Sequence, residues 1–149
     1  MFKMFSPSPI NRNLGLLVIR VGIGLVLLVL HGYDKLVGGP HTWSSLGSAA
    51  MGNFGIDFAP AFWGFMAMLG EFLCPILIVL GVLFRPALIL LGLTMFVAVI
   101  FHLNLPPDSD LAGLKQATAA LVMLCVCAGM FLTGPGKYAF SLMKKRDEF

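Results

Sequence analysis

An all-α, integral membrane four-helix bundle, forming one transmembrane domain over residues 1–149, is the fold class this sequence predicts. Three observations carry it. Hydrophobic residues make up 58% of the chain and charged residues 11%, where a soluble domain carries roughly 25% charged residues; the mean hydropathy is +0.93. Four apolar stretches each approach the roughly 20 residues that cross a bilayer as a helix. The few polar residues inside those stretches recur at helical spacing.

The first span covers 14–31 and is interrupted by Arg20. The run "GGP" at 38–40 breaks it off, and "HTWSSLGSAAM" at 41–51 reads as a short helix at the membrane interface with Trp43 at headgroup level. The second span covers 61–84 around Glu71, and the third covers 86–103. Only "FRP" at 84–86 joins them, which predicts a tight hairpin, because proline suits the first turn of a helix. "LPPDSD" at 105–110 separates the third span from the fourth, 114–133, which begins with Lys115 and Gln116. "TGPGKY" at 133–138 stops the fourth, since Gly-Pro-Gly cannot continue a helix.

Basic residues divide unevenly. Lys3, Arg12, Arg85, Lys137, Lys144, Lys145 and Arg146 fall on one side of the spans, and only Lys35 and Lys115 on the other. Positive charge marks the cytoplasmic side. The expected topology is a multi-pass protein of a bacterial-type inner membrane with both termini inside and Asp34, Asp57, Asp108 and Asp110 outside. Arg20 within the first span, with no small-residue cleavage site closely after it, predicts a retained helix rather than a removed leader. The net charge of +3 is not clustered with aromatics, which excludes nucleic acid as the natural partner. Cys74, Cys125 and Cys127 all lie in apolar runs and read as small packing residues.

A charged residue at the centre of a span costs roughly 2.5–3.5 kcal/mol, so such residues face the bundle interior and pair. One face of each span is polar or small: Arg20, Gly24, His31 and Lys35 on the first; Gly64, Ala67, Glu71, Cys74 and Ile78 on the second. Gly92, Met95, Val99 and His102 line the third, and Lys115, Thr118, Val122, Cys125 and Gly129 the fourth. At about 1.5 Å per residue, Glu71 lies about 20 Å from the cytoplasmic ends, and His31 and His102 about 24–26 Å. These three are expected in one layer of the outer half, capped by Lys35, Lys115 and Gln116. Arg20, about 9 Å deep, either reaches toward Glu71 or snorkels to the inner headgroups. Tyr33 reads as an aromatic-belt residue.

Three segments in order, "RVGIGLVLLVLHGYDKL" at 20–36, "GEFLCPILIVLGVLFRPA" at 70–87 and "GPGKYAFS" at 134–141, together with "VIFHL" ending the third span, resemble the DoxX family. The matching motif positions are Arg20, His31, Lys35, Glu71 and Arg85. The resemblance implies a small four-helix membrane protein. Some members of that family belong to thiosulfate:quinone oxidoreductases or quinol oxidase complexes, and others associate with redox-defence enzymes. With no soluble redox domain or cysteine pair in evidence, the chain is not expected to oxidise thiosulfate alone.

Residues and resemblance together point to a membrane oxidoreductase subunit with a quinone-type site. His31 or His102 would bond a ring carbonyl and Glu71 would pass the proton, while Arg20, Lys35, Lys115 and Gln116 bind. Expected partners are the bilayer and either a partner redox protein or further copies of the chain. One alternative is a non-catalytic anchor or assembly partner, in which the polar layer only specifies packing. Another is a metal or haem site on His31, Glu71 and His102. Transport would require an oligomer, because four short spans enclose no path.

Overall fold

The computed structural model describes residues 10–140, and the described elements are helical. Helix α1 (Arg12–Leu27) passes through a π turn, Leu28–Gly32, into α2 (Tyr33–Met51). Helix α3 (Pro60–Met68) passes through a second π turn, Leu69–Leu73, into α4 (Cys74–Leu80). Helices α5 (Phe84–Asn104) and α6 (Leu114–Thr133) complete the bundle. Four stretches are long and apolar enough to cross a membrane: Arg12–Phe54, Pro60–Leu80, Phe84–Asn104 and Leu114–Thr133. Val18, Val29, Leu93 and Leu132 are 58–81% exposed on the outside. Lipid tails make that exposure nearly costless, whereas water would penalise it by about 25 cal/mol per Å².

The first stretch departs from the expected span. It continues past His31 and runs 43 residues in all, Arg12–Phe54, with its break at Gly39 (φ +63°, ψ −161°). Glycine tolerates that backbone, and Pro40, lacking an N–H, gives Leu36 no helical hydrogen bond. The short helix expected over 41–51 is therefore the second limb of α2. It runs antiparallel to α3: a β-carbon on Gly47 would collide with the Pro60 carbonyl, and one on Gly64 with the Trp43 backbone. Farther along the same pairing, Gly24 lies against Pro75 and Val79, and Gly32 against Glu71 and Phe72. Glycines at each crossing let the two backbones approach.

The hairpin between the second and third spans turns at Gly81–Leu83, three residues earlier than "FRP" suggests. Gly81 (φ +77°) and Leu83 (φ +45°) both adopt left-handed backbone, and the Gly81 and Val82 N–H groups close onto Leu77 O at 2.8 and 3.0 Å. Pro86 then sits in the first turn of α5, as its chemistry favours. Helix α6 begins and ends where the sequence predicts, with Gly134 (φ +75°) as the stop.

Its face is a correction. Lys115, Thr118, Val122, Cys125 and Gly129 are exposed, and α6 buries Ala117, Ala120, Cys127 and Met130 instead. This face packs on α5: Cys127 and Leu124 come within 3.9 and 3.7 Å of a β-carbon built on Gly92, an ordinary van der Waals contact. Thr118 needs no inward partner, since its hydroxyl donates to Leu114 O at 2.9 Å.

At the Gly81 end, Arg12 Nη2 donates to Thr133 O (3.0 Å) and Arg85 Nε to Phe131 O (3.5 Å). Both cations thus meet the negative end of the α6 dipole. Residues 134–140 fold back across α1 and α4, with Lys137 N bonded to Asn13 Oδ1 at 3.1 Å and Phe140 N to Leu80 O at 2.9 Å.

A candidate site at the facing π turns

The two π turns lie against each other, and this contact builds the site. Each widens its helix by one residue, a distortion that frequently accompanies function. In the first, the extra residue rotates the helix face, so that inward positions run Leu27 then Gly32, and His31 is turned partly outward. Gly32 packs directly on the Glu71 carbonyl of the second π turn. Glu71 is thereby held at 5% exposure.

Lys35, one turn beyond Gly32, pairs with Glu71: its Nζ donates to Oε2, with the two side chains 20% and 7% exposed. A charge pair at this depth is retained only when both partners are in place. Trp43 supports it across the Gly39 kink. Its indole N–H donates to Lys35 O at 2.8 Å, and its ring meets Phe65 edge-on at 5.1 Å. Trp43→Phe keeps the aromatic contact and deletes the hydrogen bond. Thermal unfolding in detergent should register a loss of about 1 kcal/mol.

Further lining comes from α5 and α6. His102 Nδ1 lies 2.7 Å from Leu111 O. A carbonyl only accepts, so Nδ1 carries the proton and a neutral His102 presents Nε2 as an acceptor. Gly113 N bonds back to His102 O at 2.8 Å, and Gln116 Nε2 donates to Asp110 O at 2.8 Å. The 105–113 loop is therefore pinned over the end of α5 by His102 and by Gln116, an exposed residue of the first turn of α6.

Between these walls is a cavity of about 270 Å³ lined by His31, Lys35, Glu71, His102 and Gln116 among Val26, Leu27, Met95, Ala98, Ala119, Ala120 and Met123. Five of the seven residues expected to form the site meet here. The other two do not. Lys115 is exposed at the start of α6 and lines no part of the cavity. Arg20 is fully buried toward the Gly81 end, where Nη2 donates to Tyr138 O at 2.7 Å, so it neither reaches Glu71 nor snorkels. Helical side chains lean toward the N-terminus, which carries the guanidinium away from Glu71.

Among the described residues no group of three His, Cys, Asp or Glu side chains is placed to hold an ion. Glu71 is engaged by Lys35 and His102 by Leu111, and the π turn has swung His31 partly outward.

Gly32 and Trp43 are site-building residues that the sequence reading passed over. The "HG" pair and the tryptophan eight residues past Lys35 become meaningful only once a π turn and a kink are known to lie beside them.

The DoxX family model matches residues 15–103, more than half of the chain, running from α1 almost to the end of α5. The chain belongs to the DoxX family. Five polar residues, Arg20, His31, Lys35, Glu71 and His102, lie inside the DoxX match, and Gln116 lies beyond it on α6. No curated relative and no solved structure matches the chain.

Proposed function

We propose that this DoxX protein is the membrane subunit of an oxidoreductase system and takes a quinone-type ring into the cavity between Lys35–Glu71 and His102. One observation carries the reading: a space of about 270 Å³, just under the roughly 300–1,000 Å³ of small-ligand pockets, into which His31, Lys35 and Glu71 from the π-turn side and His102 and Gln116 from α5 and α6 bring polar groups among otherwise apolar residues. A flat ring with oxygens on opposite edges needs that distribution. A quinone in such a site takes up two electrons and two protons to become a quinol, and a partner redox protein supplies or receives the electrons.

The chain's own residues would handle the protons. Lys35 Nζ is a donor suited to a carbonyl oxygen. With Nδ1 committed to Leu111, neutral His102 accepts a quinol O–H, and cationic His102 donates to a quinone carbonyl. Glu71 beside Lys35 provides the second proton station. The distribution of Arg12, Arg85 and Lys137 at the Gly81 end supports an N-in/C-in orientation in an inner membrane, with the cavity in the outer half.

The test is quinone titration of the full chain in lipid nanodiscs, read by quenching of Trp43 and Trp63 emission. His102→Phe should weaken binding at least about tenfold, equivalent to about 1.4 kcal/mol. Absence of saturable binding in the native chain, or native affinity in His102→Phe, refutes the quinone site. In the second case the polar layer serves packing, and the anchor reading takes its place.

A further inference from the structure

Helices α1 and α6 meet at the Gly81 end through the Arg12 bond to Thr133 O, yet they pack on different neighbours, α1 on α4 and α6 on α5. Between them runs an apolar groove of about 550 Å³, lined by Leu16, Ile19 and Ile23 of α1 and by Val126 and Met130 of α6. Gly22 and Gly129 also line it, and a β-carbon built on either meets nothing within 4 Å. Unlike the glycines of the α2–α3 crossing, these two leave room. The groove runs about 10 Å along the helices at 1.5 Å per residue. The Thr133 hydroxyl at its end already donates to Gly129 O at 3.0 Å. A hydrocarbon chain therefore gives up no hydrogen bond by lying there, whereas a polar occupant would.

The head of the groove is cationic. The Arg12 bond to Thr133 O uses one of five guanidinium N–H groups and fixes this exposed cation at the mouth. Arg20, Arg85 and Lys137 lie at the same end. The carboxylates among the described residues, Asp34, Asp57, Glu71, Asp108 and Asp110, lie beside the π turns or beyond the far ends of the spans. Outside the described range the sequence adds Lys3, Lys144, Lys145 and Arg146 against Asp147 and Glu148, so the excess stays positive. A second copy in the same membrane orientation would bring the same cations to the same level, and like charges set against each other oppose association. The occupant that complements the groove has a hydrocarbon chain and a negative head.

We infer that the α1–α6 groove seats an anionic phospholipid of the leaflet at the Gly81 end. The first part of one acyl chain lies beside Gly22 and Gly129, and the phosphate lies against Arg12, whose planar fork suits phosphate oxygens. The groove shares no residue with the polar cavity, so this site stands whatever that cavity binds.

The experiment places the full chain in vesicles of equal parts phosphatidylglycerol and phosphatidylcholine, extracts it in mild detergent and counts the retained lipids by native mass spectrometry. The native chain should keep phosphatidylglycerol over phosphatidylcholine by at least about fivefold, the scale of one basic residue at a charged leaflet. Arg12→Gln should bring the ratio close to one. Gly129→Leu keeps every charge and fills the groove, and should lose the bound lipid. Arg85→Gln removes an equal charge on α5, away from the groove, and should leave the preference intact. No preference in the native chain, or lipid retained in full by Gly129→Leu, overturns the site. Equal losses from Arg12→Gln and Arg85→Gln overturn it as well, since they would reflect general attraction to the basic end. A dimer that forms without lipid and is broken by Gly129→Leu would give the groove to a second copy instead.

Discussion

Glu71→Leu should destabilise the folded chain by about 3–5 kcal/mol, the usual cost of removing one partner from a buried ion pair. The loss arises less from the missing attraction than from Lys35, left charged and largely enclosed with no counter-ion. The double variant Lys35→Met/Glu71→Leu removes both charges and fills the same volume with apolar groups. It should recover most of the loss, because replacing a whole buried pair is often close to neutral. The measurement is a double-mutant cycle by thermal or denaturant unfolding in detergent micelles, with a coupling energy of about 2 kcal/mol or more expected. A Glu71→Leu protein within about 0.5 kcal/mol of the native one would mean that the pair is not enclosed as described. The cycle also separates structure from function: the double variant folds, yet under the proposed reading it no longer retains quinone.

The second large effect belongs to the crossing of α2 and α3. Gly64→Ala sets a methyl group against the Trp43 carbonyl, and Gly47→Ala sets one against the Pro60 carbonyl. Overpacking typically costs about 1–3 kcal/mol, and these variants should lie at or above the top of that range. The obstructing atoms are backbone, which cannot rotate aside as a flexible side chain would. Gly22→Ala is the matched control. It lies within α1, and a β-carbon there meets nothing within 4 Å. Gaining a better helix former, it should be neutral or more stable by up to about 1 kcal/mol. Protease susceptibility of the Gly52–Pro60 connection, read beside the unfolding midpoint, reports whether the far limb of α2 has come away from α3. Equal stability of Gly64→Ala and Gly22→Ala would contradict the close crossing.

Both predictions fall on residues whose importance the sequence signals unequally. Glu71 announces itself, because a carboxylate in the middle of an apolar run has to be answered by something. Its partner was harder to choose. Arg20 and Lys35 are both basic residues of the first stretch, and helical spacing places either on the correct face. The direction in which side chains lean decides between them: Arg20 points down to Tyr138, and Lys35 lies level with Glu71. On α6, spacing alone was misleading. Two stripes of small residues, one through Cys125 and Gly129 and one through Ala117 and Ala120, are equally able to pack, and only the fit against α5 selects the second.

Composition, span length and turn chemistry by themselves determined that this is a four-span helical membrane protein, and helical spacing drew Glu71, His31 and His102 together with Lys35 and Gln116 near them, though it also enlisted Lys115, which lies outside the cavity. Those properties are local: twenty apolar residues, a Gly-Pro-Gly stop or a mid-span carboxylate mean the same thing wherever the other helices lie. The tertiary structure alone decided the rest: the π turns, the continuation of α2 along α3, and the Trp43 hydrogen bond to Lys35. Each of these depends on how closely two backbones approach. That distance is set by pairs of residues far apart in the chain, such as Gly32 with Glu71 and Gly64 with Trp43, and no periodicity within one helix encodes it.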